Sequence, residues 1–555
     1  MAVRLGAVWT PATHGRLLPM AVDATDLDKG SFSDSPPWTI ADPGALVWRQ
    51  GLAEVRARVM AEVPELTAPG RWPPAARLVT VTRRLGSAVG LWAMRERPAG
   101  ESVSRSGISR RLRLAAEKLG PTYIKLGQII SSGEGIFPAE LVDEFKLCRD
   151  RVPAEPFRVV REVIEADLGR PLDEVFRWVD RTPLAAASIA QVHAATLRTG
   201  ESVVVKVQRP AVARLVRDDL RVMAWLAPKL VGRIPIAALA NPPALVELFA
   251  QTIAEELDFR LEAENMLDVA RTFAELDQRG YVIPRPHPTL VTPRVLVMER
   301  LDGFRFDDVV GMQGAGVDTQ AVVRTGMIGF IEGAILHGIF HGDLHGGNLF
   351  VLPDGRTALL DFGITGRLDE TKRVAFLRLL MAGSANDVMS QLSALRDLGV
   401  LPPEADLDQV VTELKLDQPP LDPTAISGEQ LVGELQQMIK ALLGLGARMP
   451  KELMLFVKNM VFLDGAIASL APDLDLFGEI TELSMYFATR HAERIMADVG
   501  IDPRTVELDL DGVKASFGVE SETAQLTHRE LRARRETIRR NLSERPRPRP
   551  GSRRR

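Results

Sequence analysis

The sequence predicts a mixed α+β protein of two lobes, in which a small lobe built on a β-sheet precedes a larger, mainly helical lobe. Two short valine-rich runs, SVVVKVQ at 202–208 and RVLVMERL at 294–301, have the length and composition of buried strands. From 301 to 490 the apolar residues recur mainly at helical spacing. One hairpin interrupts those helices, because LFVL at 349–352 and TALLDF at 357–362 flank a Pro-Asp-Gly turn.

Composition limits the classes of protein that remain. Of the 555 residues, 46% are hydrophobic and 26% are charged, which is typical of a folded protein and excludes wholesale disorder. The single cysteine, Cys148, excludes a disulfide framework and a multi-cysteine metal cluster. The net charge of −4 comes from 69 basic and 73 acidic side chains, so we expect no nucleic-acid partner.

The sequence predicts neither export nor a membrane span. The N-terminal residues lack the apolar run of a signal peptide, and no stretch of about 18 residues is both apolar and uncharged. The most apolar segment, 326–340, is short and contains Glu332, which predicts a buried helix. We therefore expect a cytoplasmic protein.

Shifts in composition divide the chain into six predicted parts. Twelve arginines and three glutamates follow Thr527, and this basic end is predicted to be disordered. The parts are an N-terminal segment of unassigned structure (1–73), a helical extension (74–152), the small lobe (153–300), the large lobe (301–490), a C-terminal extension (491–526) and the arginine-rich tail (527–555).

The candidate chemistry lies in HGDLHGGNLF at 341–350 and LLDFG at 359–363. Asp343 precedes Asn348 by five residues, and Asp361 follows Asp343 by eighteen, across the predicted hairpin. This spacing is the catalytic arrangement of protein-kinase-like folds. Carboxylate and amide oxygens are ligands that Mg²⁺ takes, which makes Asp361 and Asn348 the candidate metal ligands. Asp343 is the candidate base for the proton of an attacking hydroxyl.

A different metal site is an alternative for the same loop. His341, Asp343 and His345 form an H-x-D-x-H pattern that zinc would accept. Histidines beside a catalytic loop more often orient the backbone by hydrogen bonds, so the sequence favours that role.

The lysine that a kinase needs is found upstream. VVVKV places Lys206 on a predicted strand, from which its ammonium would reach the α- and β-phosphates of a nucleotide. A solvent-facing strand lysine is the alternative. The preceding loop, PLAAASIAQVH at 183–193, lacks the glycines of the usual phosphate loop, and alanine restricts φ where glycine does not. We therefore expect a stiffer loop with different phosphate contacts.

AAAS at 185–188, together with KLGQ at 125–128, resembles the AarF/UbiB-type atypical kinase family, which is linked to isoprenoid-quinone and other lipid metabolism. The resemblance is clear over about 115–370 and looser to about 475. It implies a two-lobed protein-kinase-like fold with an N-terminal helical extension and a helical insert at 212–245. It also implies ATP or ADP and Mg²⁺ as cofactors.

The resemblance implies a role for each matching residue. The residues implied to bind nucleotide are Ala185, Ala186, Ala187, Ser188, Lys206, Glu299 and Leu301, the last two through the backbone of the hinge MERLDG. The residues implied to form a regulatory lid that blocks large substrates are Lys125, Gly127, Gln128, Glu256 and Asp258, with the two acidic residues contacting Lys125. The implied catalytic residues are Asp343, Lys206 and Glu262, with Glu262 pairing with Lys206. On a helix, Asp258 and Glu262 would lie one turn apart on one face.

Two segments depart from the family pattern. The catalytic loop reads HGDLHGGN where the family usually has HADPHPGN, which predicts a more flexible loop. The segment SSGEGIFP at 131–138 lacks the arginine usual after the KLGQ motif, which leaves the contacts of that helix end unassigned.

Three functions compete at this point. The first is an atypical kinase or ATPase acting in lipid or quinone biology. The second is a small-molecule phosphotransferase of the aminoglycoside or choline kinase type, which shares H-G-D-x-x-x-x-N. The third is a nucleotide-gated scaffold that does not transfer phosphate. The sequence fixes neither the phosphoryl acceptor nor the oligomeric state.

Peripheral contact with the inner face of a membrane, through anionic or isoprenoid lipid, is a further expectation. The arginine tail would be attracted to anionic headgroups by about 1 kcal/mol per basic residue near the surface. Residues 435–463 mix apolar and basic positions at helical spacing, which suits either a bilayer surface or a helix pair of the large lobe broken near Pro450. The sequence favours the helix pair.

Overall fold

The computed structural model describes residues 31–69, 72–131, 138–147, 152–230, 242–416, 441, 445–447, 450–516 and 519–543. The described strands form three sheets. A six-stranded sheet makes the small lobe. In the large lobe, a four-stranded sheet includes two strands from the segment 341–364, and a two-stranded sheet borders that segment. Helices cover the rest of both lobes. This is the two-lobed α+β fold that the sequence predicts.

The small-lobe sheet has antiparallel neighbours throughout, in the order β1-β3-β4-β7-β6 with β2 paired to β3. The strands of the described residues are β1 Phe176–Val179, β2 Ala185–Ala186, β3 Ala190–Leu197, β4 Ser202–Gln208, β5 Tyr281–Val282, β6 Pro286–Val291, β7 Val295–Glu299, β8 Phe304–Arg305, β9 Ile339–His341, β10 Leu349–Val351, β11 Thr357–Leu359 and β12 Thr365–Arg367.

The two valine-rich runs are confirmed as neighbouring strands β4 and β7. Alternate valines of β4, Val203, Val205 and Val207, are buried in one cluster with the helix at Phe157–Leu168. The opposite face of β4 carries Lys206, paired in register with Leu296 of β7. The predicted hairpin is also confirmed, because β10 and β11 pair antiparallel around the turn at 353–356. The register of β4 therefore directs Lys206 away from the valine face.

The described helices that precede β5 belong to the N-terminal segment, the helical extension and the small lobe with its insert. They are α1 Leu52–Leu66, α2 Ala75–Arg95, α3 Glu101–Leu119, α4 Pro121–Ser131, α5 Ala139–Lys146, α6 Phe157–Leu168, α7 Leu172–Val175, α8 Val212–Leu230, α9 Pro242–Glu255 and α10 Phe259–Glu275. The predicted insert at 212–245 is helical in its described residues, which belong to α8 and the start of α9. Arg77 of α2 donates through Nε to Oδ1 of the fully buried Asp219 of α8 at 2.5 Å, which ties the extension to the insert.

The large lobe is mainly helical, as predicted. Its helices are α11 Val309–Gly314, α12 Thr319–Glu332, α13 Glu370–Ser384, α14 Val388–Asp397, α15 Leu407–Leu414, α16 Lys451–Leu470, α17 Leu476–Arg490, α18 Ala492–Val499, α19 Leu510–Ser516 and α20 His528–Ser543, with a π-helical turn at Gly333–His337. The apolar segment 326–340 is buried in the end of α12 and this turn, and it runs on into β9. Glu332 is fully buried and accepts hydrogen bonds from Gln278 and Tyr486 at 2.9 and 2.6 Å.

Helix α16 has two relevant properties. It is the one described helix that is long and apolar enough to cross a membrane by length and composition, which is weak evidence for a span. Its inner face packs on the large lobe, where Phe456 stacks on Phe330 of α12 with ring centroids 5.0 Å apart. The helix begins directly after Pro450, as the predicted helix pair requires. Most of the predicted partner, 435–449, lies outside the described residues.

Residues 31–50, unassigned from the sequence, form a segment that we call the interlobe strap. On the small-lobe side, the buried Arg285 donates through Nη1 to the carbonyl oxygen of Trp38 at 2.8 Å. On the large-lobe side, Arg356 in the β10–β11 turn pairs with Asp34 at 2.7 Å. The strap therefore contacts both lobes.

The predicted disorder of the arginine-rich tail is wrong for its first part. Helix α20 covers His528–Ser543, and its first turns are anchored by His528 and Leu531, which are both buried. Nε2 of His528 lies 3.1 Å from Oδ1 of Asp464 on α16. These buried contacts offset the repulsion among the arginines. Residues 544–555 and Cys148 lie outside the described residues, and the boundaries of the six parts remain predictions.

Candidate active site

Lys206 lies in a buried ion-pair network between the lobes. Its Nζ is 2.6 Å from Oε1 of Glu262 on α10 and 3.1 Å from Oδ2 of Asp361. Burial disfavours the charged ammonium, but Asp361 and Glu262 outweigh that effect and raise the pKa of Lys206. The lysine is therefore charged, and it joins the small lobe to the segment after β11. The Lys206–Glu262 pair that the resemblance implied is present.

Side chains of helix α10 also hold the backbone of the Asp-Phe-Gly segment at 361–363. The amide of Phe362 donates to Oε1 of Glu262 at 3.4 Å, and Nδ2 of Asn265 donates to the carbonyl oxygen of Phe362 at 2.9 Å. Burial raises the pKa of Glu262 to about 7, against the opposing effect of Lys206. A displacement of α10 would therefore move both Lys206 and Asp361.

Helix α4 brings the KLGQ motif to the same cleft. Nζ of Lys125 lies 2.8 Å from Oε1 of Glu256 and 3.7 Å from Oδ2 of Asp343. Gly127 allows α4 to approach α5, because a Cβ at that position would lie 2.4 Å from Cδ1 of Phe145. Gln128 is half-buried on the same helix. The structure thus brings the KLGQ lysine onto the predicted catalytic aspartate.

Asp258 does not make the contact that the resemblance implied. It is the N-cap of α10, where its Oδ1 accepts from the amide of Arg260 at 3.1 Å, and its Oδ2 pairs with the Arg260 guanidinium at 2.6 Å. The expectation that Asp258 and Glu262 share one helix face fails, because Asp258 has extended backbone angles just before the helix. An aspartate satisfies the free amides of a helix start, which explains its position. Glu256 alone of the predicted acidic pair contacts Lys125 within the described residues.

The catalytic loop, 341–348, is held by its own hydrogen bonds. Nδ1 of His341 accepts from the amide of Asp343 at 3.1 Å, so the ring proton lies on Nε2, which donates to the carbonyl oxygen of Asp361. Burial lowers the pKa of His341 to about 4, which keeps the ring neutral. Nδ2 of Asn348 donates to the carbonyl oxygen of Asp343 at 3.1 Å. Both side chains therefore fix the shape of the loop.

The alternative metal site gains no support from this geometry. His341 is engaged with the backbone on both ring nitrogens, and Nδ1 of His345 accepts from the amide of Gly347 at 3.1 Å. In the part of the chain that the structure describes, no three His, Cys, Asp or Glu side chains are arranged to hold a metal ion. The orienting role that the sequence favoured agrees with these contacts.

Two residues on α16 that contact the catalytic loop were not predicted from the sequence. Nζ of Lys458 donates to Oδ1 of Asp343. The fully buried Asn459 accepts from the amide of Leu344 at 2.9 Å through Oδ1 and donates to the carbonyl oxygen of His341. A charged and an amide residue side by side in the apolar run LMLFVKNMVFL were the available signal. Such a pair is equally typical of a solvated turn of helix, so the pattern alone does not identify it.

The two lysines on Asp343 dominate its electrostatics. Burial disfavours the charged carboxylate, but Lys458 and Lys125 outweigh that effect and hold the pKa of Asp343 well below its usual range. For Asp361, Lys206 and the amide of Gly363 likewise outweigh burial and lower the pKa. Both aspartates are therefore ionised at neutral pH.

The alanine-rich segment forms a tight hairpin beside Lys206. Ala185 and Ala186 pair with β3 as strand β2, and the amide of Ala187 donates to the carbonyl oxygen of Ala190 at 2.9 Å. Ser188 is buried in the turn. The predicted loop is thus partly a strand.

The side chains of the hinge residues Glu299 and Leu301 make separate contacts within the protein. The buried carboxylate of Glu299 accepts from the hydroxyl of Ser33 in the interlobe strap and from the amide of Arg285 at 3.2 Å. Leu301 packs with Leu352 and Val282 in a small cluster of the large lobe. Any contact of these two residues with adenine would therefore come from the backbone, as the resemblance implied.

The donor set fits Mg²⁺ and a nucleotide. Because Nδ2 of Asn348 is committed to the carbonyl oxygen of Asp343, its Oδ1 is the end of the amide left for a metal. The side chain of Asp361 is 40% exposed, in contrast to the buried Lys206 beside it. A carboxylate and an amide oxygen are ligands that Mg²⁺ takes, usually together with phosphate oxygens.

A sheet lobe with a buried Lys–Glu pair, followed by a helical lobe with an Asp-to-Asn loop and an Asp-Phe-Gly segment, defines a protein of the kinase-like class. Residues 147–393 match the sequence profile of the ABC1 atypical kinase-like domain. Together with the relatives that follow, this match shows that the chain belongs to the ABC1, or AarF/UbiB, family of atypical kinase-like proteins.

Three relatives show how far the similarity extends. An uncharacterized protein of Mycobacterium tuberculosis H37Rv is 32% identical over 463 residues, covering 82% of this chain and 90% of that protein. A probable protein kinase UbiB of Marinobacter nauticus is 32% identical over 371 residues, covering 66% of this chain and 68% of the relative. An uncharacterized chloroplastic aarF domain-containing protein kinase of Arabidopsis thaliana is 30% identical over 390 residues, covering 66% and 72%.

Proposed function

We propose that this protein binds Mg²⁺-ATP between its lobes and acts as an atypical kinase or ATPase in isoprenoid-quinone or other lipid metabolism. The observation that carries the proposal is the convergence on one cleft of Lys206, Glu262 and Asp361, with Nζ of Lys206 within 3.1 Å of both carboxylates. A lysine held in this way is oriented for phosphate oxygens, which is its role in protein-kinase-like folds.

Each candidate residue of the cleft has its own role in this proposal. Lys206 binds the α- and β-phosphates, and Asn348 and Asp361 hold Mg²⁺, which neutralises phosphate charge when bound. Asp343 accepts the proton of the attacking hydroxyl or water. The alanine-rich hairpin covers the phosphates, and the hinge backbone at Glu299 and Leu301 holds the adenine.

The KLGQ helix favours small or lipid acceptors over proteins. Lys125 bridges Glu256 and Asp343 across the cleft, so α4 stands where a polypeptide substrate would reach the catalytic aspartate. Beside Lys458 on α16, the apolar side chains of Val457, Met460 and Val461 are exposed, which suits an apolar acceptor. We place the protein in the cytoplasm with peripheral contact at the membrane, where the basic helix α20 would add attraction to anionic lipid.

The test is nucleotide binding and turnover by the purified protein and by Asp361→Asn, each with and without anionic liposomes. The variant lacks a carboxylate ligand, so Mg²⁺-ATP affinity and turnover should fall by about tenfold or more. Asp354→Asn is the matched control, because Asp354 lies in the turn of the same hairpin and pairs with Arg356 at 2.7 Å. Equal Mg²⁺-ATP affinity in the wild type and Asp361→Asn would contradict the proposal. Turnover that is the same with and without liposomes would contradict the proposed role in lipid metabolism.

One observation favours a second candidate, the nucleotide-gated scaffold. Asp343 is held by two ammonium groups, an arrangement that disfavours proton transfer to it. Tight Mg²⁺-ATP binding without turnover, with or without liposomes, would favour the scaffold. Transfer of phosphate to a soluble hydroxyl compound would instead favour a small-molecule phosphotransferase.

A further inference from the structure

Helix α16 is fixed against the catalytic loop at one point. The buried amide of Asn459 both accepts from the amide of Leu344 and donates to the carbonyl oxygen of His341. These two bonds are made on either side of Asp343 in the chain, so the residue that precedes Asn459 in the helix, Lys458, is held beside that aspartate. The Lys458 side chain is 15% exposed, and its Nζ donates to Oδ1 of Asp343.

The catalytic loop brings no cation of its own. Between His341 and Asn348 the sequence HGDLHGGN contains no lysine or arginine. Burial lowers the pKa of His345 and keeps it neutral, and His341 is engaged with the backbone. A phosphoryl group in transfer spreads its charge over three oxygens and needs positive charge near the attacking and transferred groups.

The three lysines of the cleft differ in how they are held. Lys206 contacts Glu262 and Asp361, and Lys125 contacts Glu256 at 2.8 Å in addition to Asp343 at 3.7 Å. Among the residues that the structure describes, Lys458 forms an ion pair with Asp343 alone. Its unbranched stem lets the ammonium shift to a nearby anion without moving the helix.

We infer that Lys458 is a binding residue for the terminal phosphate of the nucleotide, supplied to the catalytic loop from a helix 115 residues further along the chain. This inference rests on the proposed function. When ATP is bound, the ammonium of Lys458 contacts an oxygen of the γ-phosphate and leaves Asp343 free to accept a proton. ADP has no γ-phosphate, so with ADP the ammonium stays on Asp343.

The test compares the Kd values of Mg²⁺-ATP and Mg²⁺-ADP, measured by calorimetry, for the wild type and three variants. Lys458→Met keeps the stem and removes the charge, so the ratio of the ATP Kd to the ADP Kd should rise by about tenfold or more. Lys458→Arg should return that ratio to within about threefold of the wild-type value. Lys451→Met is the matched control, because Lys451 lies two turns earlier on α16, is 14% exposed and pairs with Glu255 at 3.2 Å. It should leave the ratio unchanged.

The outcomes separate this inference from the proposed function. A wild type that binds neither nucleotide would overturn both. A wild type that binds Mg²⁺-ATP, with an unchanged ratio in Lys458→Met, would overturn the inference alone. Weakening of both nucleotides by the same factor would also overturn it, because a structural role of Lys458 does not distinguish ATP from ADP.

Discussion

The close approach of α4 to α5 makes Gly127→Ala an informative substitution in the KLGQ motif. An added Cβ would lie 2.4 Å from Cδ1 of the buried Phe145, whereas contact between carbon atoms is favourable near 3.5 Å or beyond. The ring or the helix would therefore have to move by about 1 Å. Overpacking of this kind costs about 1–3 kcal/mol. The gain in helix propensity from glycine to alanine returns about 1 kcal/mol.

Gly86→Ala provides the matched comparison, because Gly86 lies inside α2 and a Cβ there meets nothing within 4 Å. The same gain in helix propensity then stabilises the protein by about 1 kcal/mol. Chemical denaturation of both variants, followed by one spectroscopic probe, should show Gly127→Ala less stable than Gly86→Ala by about 1–3 kcal/mol. Equal stability of the two variants would show that α4 does not pack on Phe145 as described.

Three other predictions concern stability. Arg77→Ala leaves the carboxylate of Asp219 buried without its partner and should lower the free energy of unfolding by about 3–5 kcal/mol; a loss below about 1 kcal/mol would contradict that burial. Arg285→Met should destabilise the protein by about 1–3 kcal/mol and Arg356→Met by less than about 1 kcal/mol, because only the first removes a buried hydrogen bond. Equal losses in the two variants would count against anchoring of the interlobe strap by Arg285. Burial lowers the pKa of His287 to about 4, so between about pH 4 and 6.5 the unfolded chain binds more protons than the folded protein. The free energy of unfolding should therefore fall by up to about 3 kcal/mol as the pH falls through that window. The difference between the wild-type and His287→Gln denaturation profiles isolates this dependence, and parallel profiles would refute it.

The sequence predicted contacts best where the residues concerned are close together in the chain. Asp343, Asn348 and Asp361 lie within nineteen positions of one another, and the turn at 353–356 is enough to bring the last back to the first two. Lys206 and Glu262 are 56 residues apart, and only the family resemblance paired them before the structure did. Asp258 shows the limit of that resemblance, because its carboxylate caps the start of α10 and does not contact Lys125.

The contacts of Lys458 and of the interlobe strap escaped sequence reasoning. Lys458 reaches Asp343 across 115 residues of chain, and Ser33 reaches Glu299 across 266. Neither pair belongs to one repeat, turn or helix face, so no periodicity records it. The N-terminal residues also lack the apolar spacing that identifies an element, because the buried side chains of the strap, Phe32, Ile40, Leu46 and Trp48, recur at neither the helix nor the strand period.

The sequence by itself determined the two-lobed α+β class, the strands β4 and β7, the β10–β11 hairpin and the close spacing of the candidate residues Asp343, Asn348 and Asp361. These depend on side-chain alternation, turn chemistry and spacing, which act over a few residues of backbone. Only the tertiary structure decided that Asp343 lies between Lys125 and Lys458 and that α20 is an ordered helix. Each of these depends on which faces of distant helices pack together, and packing free energy is shared among many side chains that no local pattern identifies.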